Sequence, residues 1–309
     1  ICKVELGYNK SYSEFDLLSK QSKFNRPMVE LHVGFEAPIF AYGYGTIGSN
    51  KKWGIGMRLP LNVHVLEDMW GPETAPVINT DYRFGGPRIV AIRNFDKKGF
   101  IKNLSFSWLT IFHECTHLGD EIVIYRMDEK FPITRINVSY EFTEFQVTIN
   151  DPEVINDNCH SLRLGLLQRI SNRGLGWFSV RENIEVATNI NIAASKYNSE
   201  YYAQYQFKRQ RGLLASKRFV NIFSLEARRR VRYGYPLFKA VNDIWETKEI
   251  KEVMQMNFNL YFGYKFYPKS IDKHSLGLFF HAYKGLNPYG QLRNYPSYPF
   301  FGFSLTYEP

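Results

Sequence analysis

Long runs of strictly alternating apolar and polar residues constrain this 309-residue sequence more than any other feature. From Trp53 to Val65 the odd positions read Trp53, Ile55, Met57, Leu59, Leu61, Val63 and Val65, and the even ones Gly54, Gly56, Arg58, Pro60, Asn62 and His64. A period of two puts each set on one face of a β-strand. The pattern recurs where Val29, Leu31, Val33 and Phe35 face away from Glu30, His32, Gly34 and Glu36, and where Tyr201, Ala203, Tyr205 and Phe207 face away from Gln204, Gln206 and Lys208. It recurs again from Met254 to Phe266 and from Ser275 to Ala282. Strands of soluble sheets have ~5–6 residues. A strand tilted across a bilayer needs ~9–11, apolar outward and polar inward.

Composition fits that second length class. Aromatic residues make up 17% of the chain, yet the hydrophobic fraction is 44% and the mean hydropathy −0.33. No apolar stretch approaches the ~20 residues of a membrane-spanning helix, and a disordered chain would be poor in aromatics. A greasy outer face around a polar lumen accounts for both values. A soluble β-sandwich is the competing reading, but so many aromatic faces would overfill its core. The fold expected is therefore all-β, an antiparallel transmembrane β-barrel of about 12 strands, with ten to fourteen allowed by the even-number rule. It forms a single domain over residues 1–309 with a polar, partly plugged lumen, set in the bacterial outer membrane.

Residues 1–28 are expected to be an N-terminal extension or periplasmic segment. Ile1-Cys2-Lys3 carries no charged and then apolar leader, so the sequence is taken as mature or trimmed. Candidate strands lie near 29–45, 52–66, 78–93, 103–118, 121–128, 133–149, 161–171, 177–194, 200–209, 217–234, 253–267 and 275–308. Loops are expected at 67–80, 150–160, 194–200, 235–252 and 284–299, with a short helix from Asp243 to Val253. The apolar phase changes from Tyr140 and Phe142 to Phe145, Val147 and Ile149, which predicts a bulge or tight turn near Thr143-Glu144. The last strand, with Phe301, Phe303, Leu305 and Tyr307 alternating with Gly302, Ser304 and Thr306, resembles the closing strand of bacterial outer-membrane barrels, although Glu308 and Pro309 follow it.

His113-Glu114-Cys115-Thr116-His117 matches H-E-x-x-H, which on a helix would bind zinc with the Glu as general base. The preceding Leu104, Phe106, Trp108 and Phe112 alternate as in a strand, so the match is read as a decoy, and no catalytic set is assigned. If Phe106, Trp108 and Phe112 face lipid, His113, Cys115 and His117 face the lumen with Ser105 and Ser107, and Glu114 points outward. His113-Glu-Cys-Thr-His-Leu-Gly-Asp-Glu121 followed by Thr134-Arg-Ile-Asn-Val-Ser-Tyr-Glu141 resembles a domain-of-unknown-function family of bacterial outer-membrane proteins, with the pattern His-x-Ser-Ser-His-Leu-Gly-Asp-Glu. Cys115 and Thr116 replace its two Ser. The resemblance implies the fold and no activity.

Neutral His113 and His117 with Asp120 and Glu121 are candidate ligands for a divalent metal ion of the zinc or calcium class. The competing reading makes Leu118 to Glu121 a turn and the histidines part of a lumenal hydrogen-bond network. Arg228, Arg230 and Arg232 share a predicted lumenal face, with Glu30, Glu36 and Glu185 as expected partners. The net charge of +9 then points to lumenal Arg, outer-membrane lipid and lipopolysaccharide rather than nucleic acid. Other outer-membrane or periplasmic proteins are expected partners. Three functions compete. The first is a non-enzymatic accessory or structural subunit of an outer-membrane complex, such as a protein-assembly or secretion machine. The second is a hydrolase of lipid A or phospholipid with His113 or His117 as base and Ser105, Ser107 or Cys115 as nucleophile. The third is a narrow anion-preferring channel.

Overall fold

A computed structural model describes residues 2–9, 26–43, 52–68, 77–95, 99–118, 133–137, 139–155, 158–171, 176–181, 184–186, 197–210, 218–232, 235–241, 244–250, 252–268, 274–286, 288 and 299–308. The strands in chain order are β1 (Cys2–Asn9), β2 (Arg26–Tyr42), β3 (Trp53–Asp68), β4 (Val77–Gly85), β5 (Arg88–Asn94), β6 (Asn103–Leu118), β7 (Ile133–Asn137), β8 (Ser139–Ile149) and β9 (Cys159–Ser171). They continue as β10 (Gly176–Arg181), β11 (Ile184–Val186), β12 (Ser199–Gln210), β13 (Phe219–Arg232), β14 (Tyr235–Val241), β15 (Ile244–Ile250), β16 (Val253–Phe266), β17 (Ser275–Lys284) and β18 (Phe300–Glu308).

Thirteen of these strands form one antiparallel sheet that closes on itself. β4 and β5 lie end to end between β3 and β6, so the ring has twelve staves. Closure runs through β1, which pairs with β18 in register Cys2↔Tyr307 to Asn9↔Phe300 and with β2 in register Cys2↔Val33 to Asn9↔Arg26. Part of the expected N-terminal extension is thus a stave. Its alternation of Cys2, Val4, Leu6 and Tyr8 with Lys3, Glu5 and Gly7 is the same period-two signal read elsewhere.

Burial is inverted relative to a soluble protein. Phe303 is 63% exposed, Phe35 61% and Leu278 58%, whereas Ser304 and Asn79 are 0% and Asp81 1% exposed. Only hydrocarbon can cover such an outer face, and only a closed ring leaves no strand edge unsatisfied within it. The connections also differ in length between the two ends. One end carries 43–52, 95–102, 150–158, 211–218 and 267–274, and the other carries 10–25, 69–76, 119–138, 172–198, 233–252 and 285–299. Short periplasmic turns and longer extracellular loops are the outer-membrane arrangement.

Several local expectations are corrected. Within 177–194 the described residues add no stave: β10 and β11 form a separate three-stranded sheet with β7, which places Glu185 outside the barrel ring. In the expected loop and helix of 235–252, residues 235–241 and 244–250 instead form the paired strands β14 and β15, from Tyr235↔Ile250 to Val241↔Ile244. No bulge interrupts β8 at Thr143-Glu144. Tyr140 and Phe142 simply face inward, where they join Leu109, Phe112 and Leu167 in an apolar cluster within the lumen. The Phe112 and Phe142 rings meet edge-on at 5.4 Å, a geometry worth about 0.5–1.5 kcal/mol beyond area burial. Residues 121–128 lie outside the described residues.

The turn after β8 folds inward at the short-loop end of the barrel. Asn150 takes a left-handed φ of 56°, which Asn tolerates, and its amide donates to the carbonyls of Phe100 and His160, each at 3.0 Å. Asp151 is 5% and Ile155 8% exposed. Ser105 Oγ donates to Asp151 Oδ2 at 2.8 Å, and Lys208 Nζ donates to the Ile155 carbonyl at 2.8 Å. Burial, with Glu153 nearby, raises the Asp151 carboxyl above its ordinary value of 3.8, against the hydrogen bond from Ser105.

Two outcomes follow for stability. Phe303→Arg places a charge in the lipid band and lowers barrel stability by about 2–4 kcal/mol, measured by denaturant unfolding in lipid vesicles. A raised acid pKa means the folded state holds the proton more tightly, so the Asp151 contribution is complete below its ordinary value and falls as pH rises through the raised one. Unfolding measured at pH 4 and pH 7 shows that loss in the native chain, and Asp151→Asn flattens it.

Candidate functional site: a lipid-facing His, Ser and Glu cluster

The site depends on a local irregularity where β4 gives way to β5. Gly85-Gly86-Pro87 breaks the stave, and Pro87 has no N–H to offer. Gly86 N donates to the Ile111 carbonyl, while Thr110 N and Oγ1 donate to the Pro87 carbonyl at 3.2 and 3.0 Å. A Cβ on Gly85 would lie 2.4 Å from the Ile111 carbonyl oxygen, so only glycine fits there. Opposite, Leu109 pairs with Glu144 but Phe112 pairs with Phe142, so β6 carries one extra residue. That β-bulge reverses the faces. Below it Asn103, Ser105, Ser107 and Leu109 are buried in the lumen; above it Phe112, Glu114 and Thr116 are.

His113, Cys115 and His117 therefore face outward and Glu114 inward, the reverse of the sequence expectation. Phe112 likewise belongs to the lumen. The H-E-x-x-H residues sit on a strand, with the histidines and the glutamate on opposite faces, so the helical zinc-protease geometry does not form. His113 and His117 are also about 13 Å apart along the strand, given ~3.3 Å per residue, too far to share one ion at Zn–N distances of ~2 Å. Asp120 and Glu121 lie outside the described residues. Among the described residues no group of three or more His, Cys, Asp or Glu could hold a metal ion.

What His113 does touch was not anticipated. On β8, Glu141 lies directly opposite His113 and Ser139 directly opposite Cys115. His113 Nδ1 is 3.2 Å from Glu141 Oε1, and His113 Nε2 is 3.5 Å from Ser139 Oγ. A carboxylate only accepts, so Glu141 selects the tautomer with the proton on Nδ1. That leaves the Nε2 lone pair directed at the Ser139 hydroxyl. A hydroxyl, an imidazole and a carboxylate in this sequence are the elements of nucleophilic catalysis. The set is not sealed in: the side chains of His113 and Glu141 are 27% and 38% exposed. Ser105 and Ser107, the expected partners, are lumenal and on the opposite face.

The cluster lies at the rim of the lipid band. Leu104, Phe106, Trp108 and Ile111 form the exposed apolar face of β6, which ends at His113. From Leu104 to His113 the strand runs about 30 Å. At a tilt of ~40° it rises about 23 Å, close to the ~25 Å height of an outer-membrane barrel's apolar band. Phe84, 47% exposed, packs its ring 5.2 Å from His113, and Tyr82 lies edge-on to His117 at 5.8 Å. The polar edge of the cluster thus meets the lipid headgroup region on the long-loop side.

Three further histidines and the expected Arg228 and Arg230 have structural partners in the lumen. His32 and His64 are lumenal, with rings 4.3 Å apart, and His281 stacks on Tyr261 at 4.1 Å. These three histidines line a lumenal cavity of about 280 Å³ with Glu30, Arg228 and Arg230. Arg228 pairs with Glu226 at 3.1 Å and lies 4.4 Å over the Tyr202 ring, while Arg230 pairs with Glu200 at 3.8 Å. Glu36 pairs with Arg58 and Arg88 instead of the arginine run.

No family model matches the chain, and no curated protein matches it. Among solved structures it is similar to the outer membrane phospholipase A from Escherichia coli, at 11% identity and a TM-score of 0.42, covering 98% of this chain and 89% of that one. It is similar to the calcium-bound Salmonella typhi outer membrane phospholipase dimer, at 10% identity and a TM-score of 0.44, covering 98% and 89%. It is also similar to the translocator domain of the autotransporter NalP from Neisseria meningitidis, at 11% identity and a TM-score of 0.39, covering 98% and 84%. Ring closure, the lipid-facing surface and the unequal loops make the protein an integral β-barrel of the bacterial outer membrane.

The reversed phase is open to a direct check. With Cys2→Ser and Cys159→Ser, an environment-sensitive fluorophore on Cys115 is strongly quenched by nitroxide-bearing lipids. Quenching by aqueous iodide alone would return Cys115 to the lumen.

Proposed function

We propose that this outer-membrane barrel hydrolyses acyl esters of lipids in the outer leaflet. Ser139 is the nucleophile, His113 the general base, and Glu141 the group that orients and charge-stabilises the imidazole. The observation that carries the reading is the hydrogen-bonded run Ser139, His113, Glu141 on the lipid-facing surface at the rim of the apolar band. A site placed there meets ester carbonyls without drawing the lipid out of the membrane. Its long Ser–His contact of 3.5 Å is of the kind that tightens when substrate binds.

The steps balance with water as the only co-reactant. Ser139 Oγ attacks the ester carbonyl carbon as its proton passes to His113 Nε2. Collapse of the tetrahedral intermediate breaks the ester C–O bond, and His113 returns the proton to the departing alcohol. Water then attacks the acyl carbon as its proton passes to His113 Nε2; the acyl C–Oγ bond breaks, His113 returns the proton to Ser139 Oγ, and the fatty acid leaves.

A scaffold role within a larger outer-membrane complex is the second reading, favoured by the apolar cluster in the lumen and the inward-folded turn after β8. An anion channel fits less well, because Arg83, Arg228 and Arg230 are each paired with a glutamate. That pairing removes the fixed positive field such a pore uses. With a p-nitrophenyl acyl ester in mixed micelles, Ser139→Ala and His113→Ala each lower kcat by at least about 10³-fold, and Glu141→Gln by about 10²-fold. Turnover by Ser139→Ala equal to the native rate, with a stoichiometric partner in native extracts, would replace this reading with the scaffold.

A further inference from the structure

Directly behind the proposed triad, on the lumenal face of the same two strands, lies a second cluster. Glu114 sits between His113 and Cys115 on β6, and Tyr140 sits between Ser139 and Glu141 on β8. Glu114 and Tyr140 are directly opposite each other, just as His113 and Glu141 are. The Tyr140 hydroxyl donates to Glu114 Oε2 at 3.2 Å. From β4, Arg83 places Nε 3.2 Å from Glu114 Oε2 and donates from Nη2 to Oε1 at 3.4 Å. One carboxylate thus ties three staves together, and both Glu114 and Tyr140 are almost wholly buried, at 4% and 1% exposure.

This tie stands at the place where register is least secure. The bulge interrupts the β6–β8 ladder between Leu109 and Phe112, and β8 ends its pairing with β6 at Ser139. A slip of one residue there would move Ser139 and Glu141 to the lumen and break both contacts with His113. A buried ion pair contributes little net stability, but fixing register is its best-attested use. We infer that Glu114 and Tyr140 are positioning residues, which lock β8 against β6 so that Ser139 and Glu141 reach His113. This rests on the hydrolase reading above. It gives the glutamate of the H-E-x-x-H sequence a role that needs neither metal nor contact with substrate.

The test uses full-length protein folded in detergent, with heat-modifiable migration as the check on folding. Modification of Ser139 by a fluorophosphonate probe, located by peptide mass, reads activation of the nucleophile; the acyl ester assay separates kcat from KM. Tyr140→Phe removes one hydroxyl and Glu114→Gln one charge. Tyr283→Phe removes a lumenal hydroxyl on the far wall, where it donates to the Leu286 carbonyl. Tyr140→Phe and Glu114→Gln each slow labelling and kcat about tenfold at unchanged KM, the double variant is no slower than Glu114→Gln alone, and Tyr283→Phe behaves as the native chain. Where Glu114→Gln fails to fold, Tyr140→Phe against Tyr283→Phe decides. Native rates in Tyr140→Phe and Glu114→Gln, or equal slowing in all three, overturn the positioning role while the triad stands. A native chain that the probe does not label at Ser139, with Ser139→Ala still active, overturns the hydrolase reading and this inference together.

Discussion

One extra residue in β6 sets the character of the surface on which the proposed chemistry sits. In a barrel wall every side chain is assigned by parity to lipid or lumen, and parity persists along a strand until a bulge resets it. Between Leu109 and Phe112 that reset occurs. Without it Glu114 would face hydrocarbon and two imidazoles would be hidden in the lumen. With it the carboxylate finds Arg83 and Tyr140, and His113 finds Ser139 and Glu141. The bulge is accommodated by the Gly85-Gly86-Pro87 break in the neighbouring stave, where a side chain at Gly85 would strike the β6 backbone. Backbone geometry on β4 therefore decides which face the β6 histidines occupy.

The lumen combines two kinds of packing that pull in different directions. Leu109, Phe112, Tyr140, Phe142 and Leu167 make an apolar layer, in a space that membrane barrels usually fill with polar groups. Beside it, Arg228, Arg230 and Arg83 are held by Glu226, Glu200 and Glu114. Removing charges from water is expensive, and such pairs roughly break even in stability. What they supply is discrimination among registers, since a shifted stave strands a buried charge. The apolar layer supplies cohesion, and the ion pairs make that cohesion specific.

Much of the wall was legible in the sequence because parity is a local signal. β2, β3, β12, β17 and β18 have the faces that alternation assigns, as does β16 from Met256 onward, while Met254 packs against the lumenal cluster. The Arg228 and Arg230 side chains point inward as read, since β13 runs unbroken from Glu226 through both. β1 carried the same signal in a shorter run. The reversal in β6 was hidden because Leu104, Phe106, Trp108 and Phe112 read as one uninterrupted apolar face, although Phe112 belongs to the lumen. Apolarity marks the outer face only where the lumen is polar, and here it is locally not. Ser139 and Glu141 were invisible as site residues for a related reason. They became neighbours of His113 only through a pairing between strands, and their one sequence signal is that both share a face of β8.

Closure through β1 and β18 has a kinetic consequence. The pair Cys2↔Tyr307 joins nearly opposite ends of the sequence, while almost every other contact around the ring joins staves that are close in the chain. Until that seam forms, β1 and β18 each present a row of unmatched backbone groups, which hydrocarbon does not tolerate. Insertion and seam formation are thus coupled, and the slow step is bringing distant segments together rather than zipping adjacent hairpins. A half-assembled wall has nowhere stable to rest in the bilayer. A wall that lacks the β1–β18 seam therefore carries unmet backbone groups that only water or another chain can satisfy.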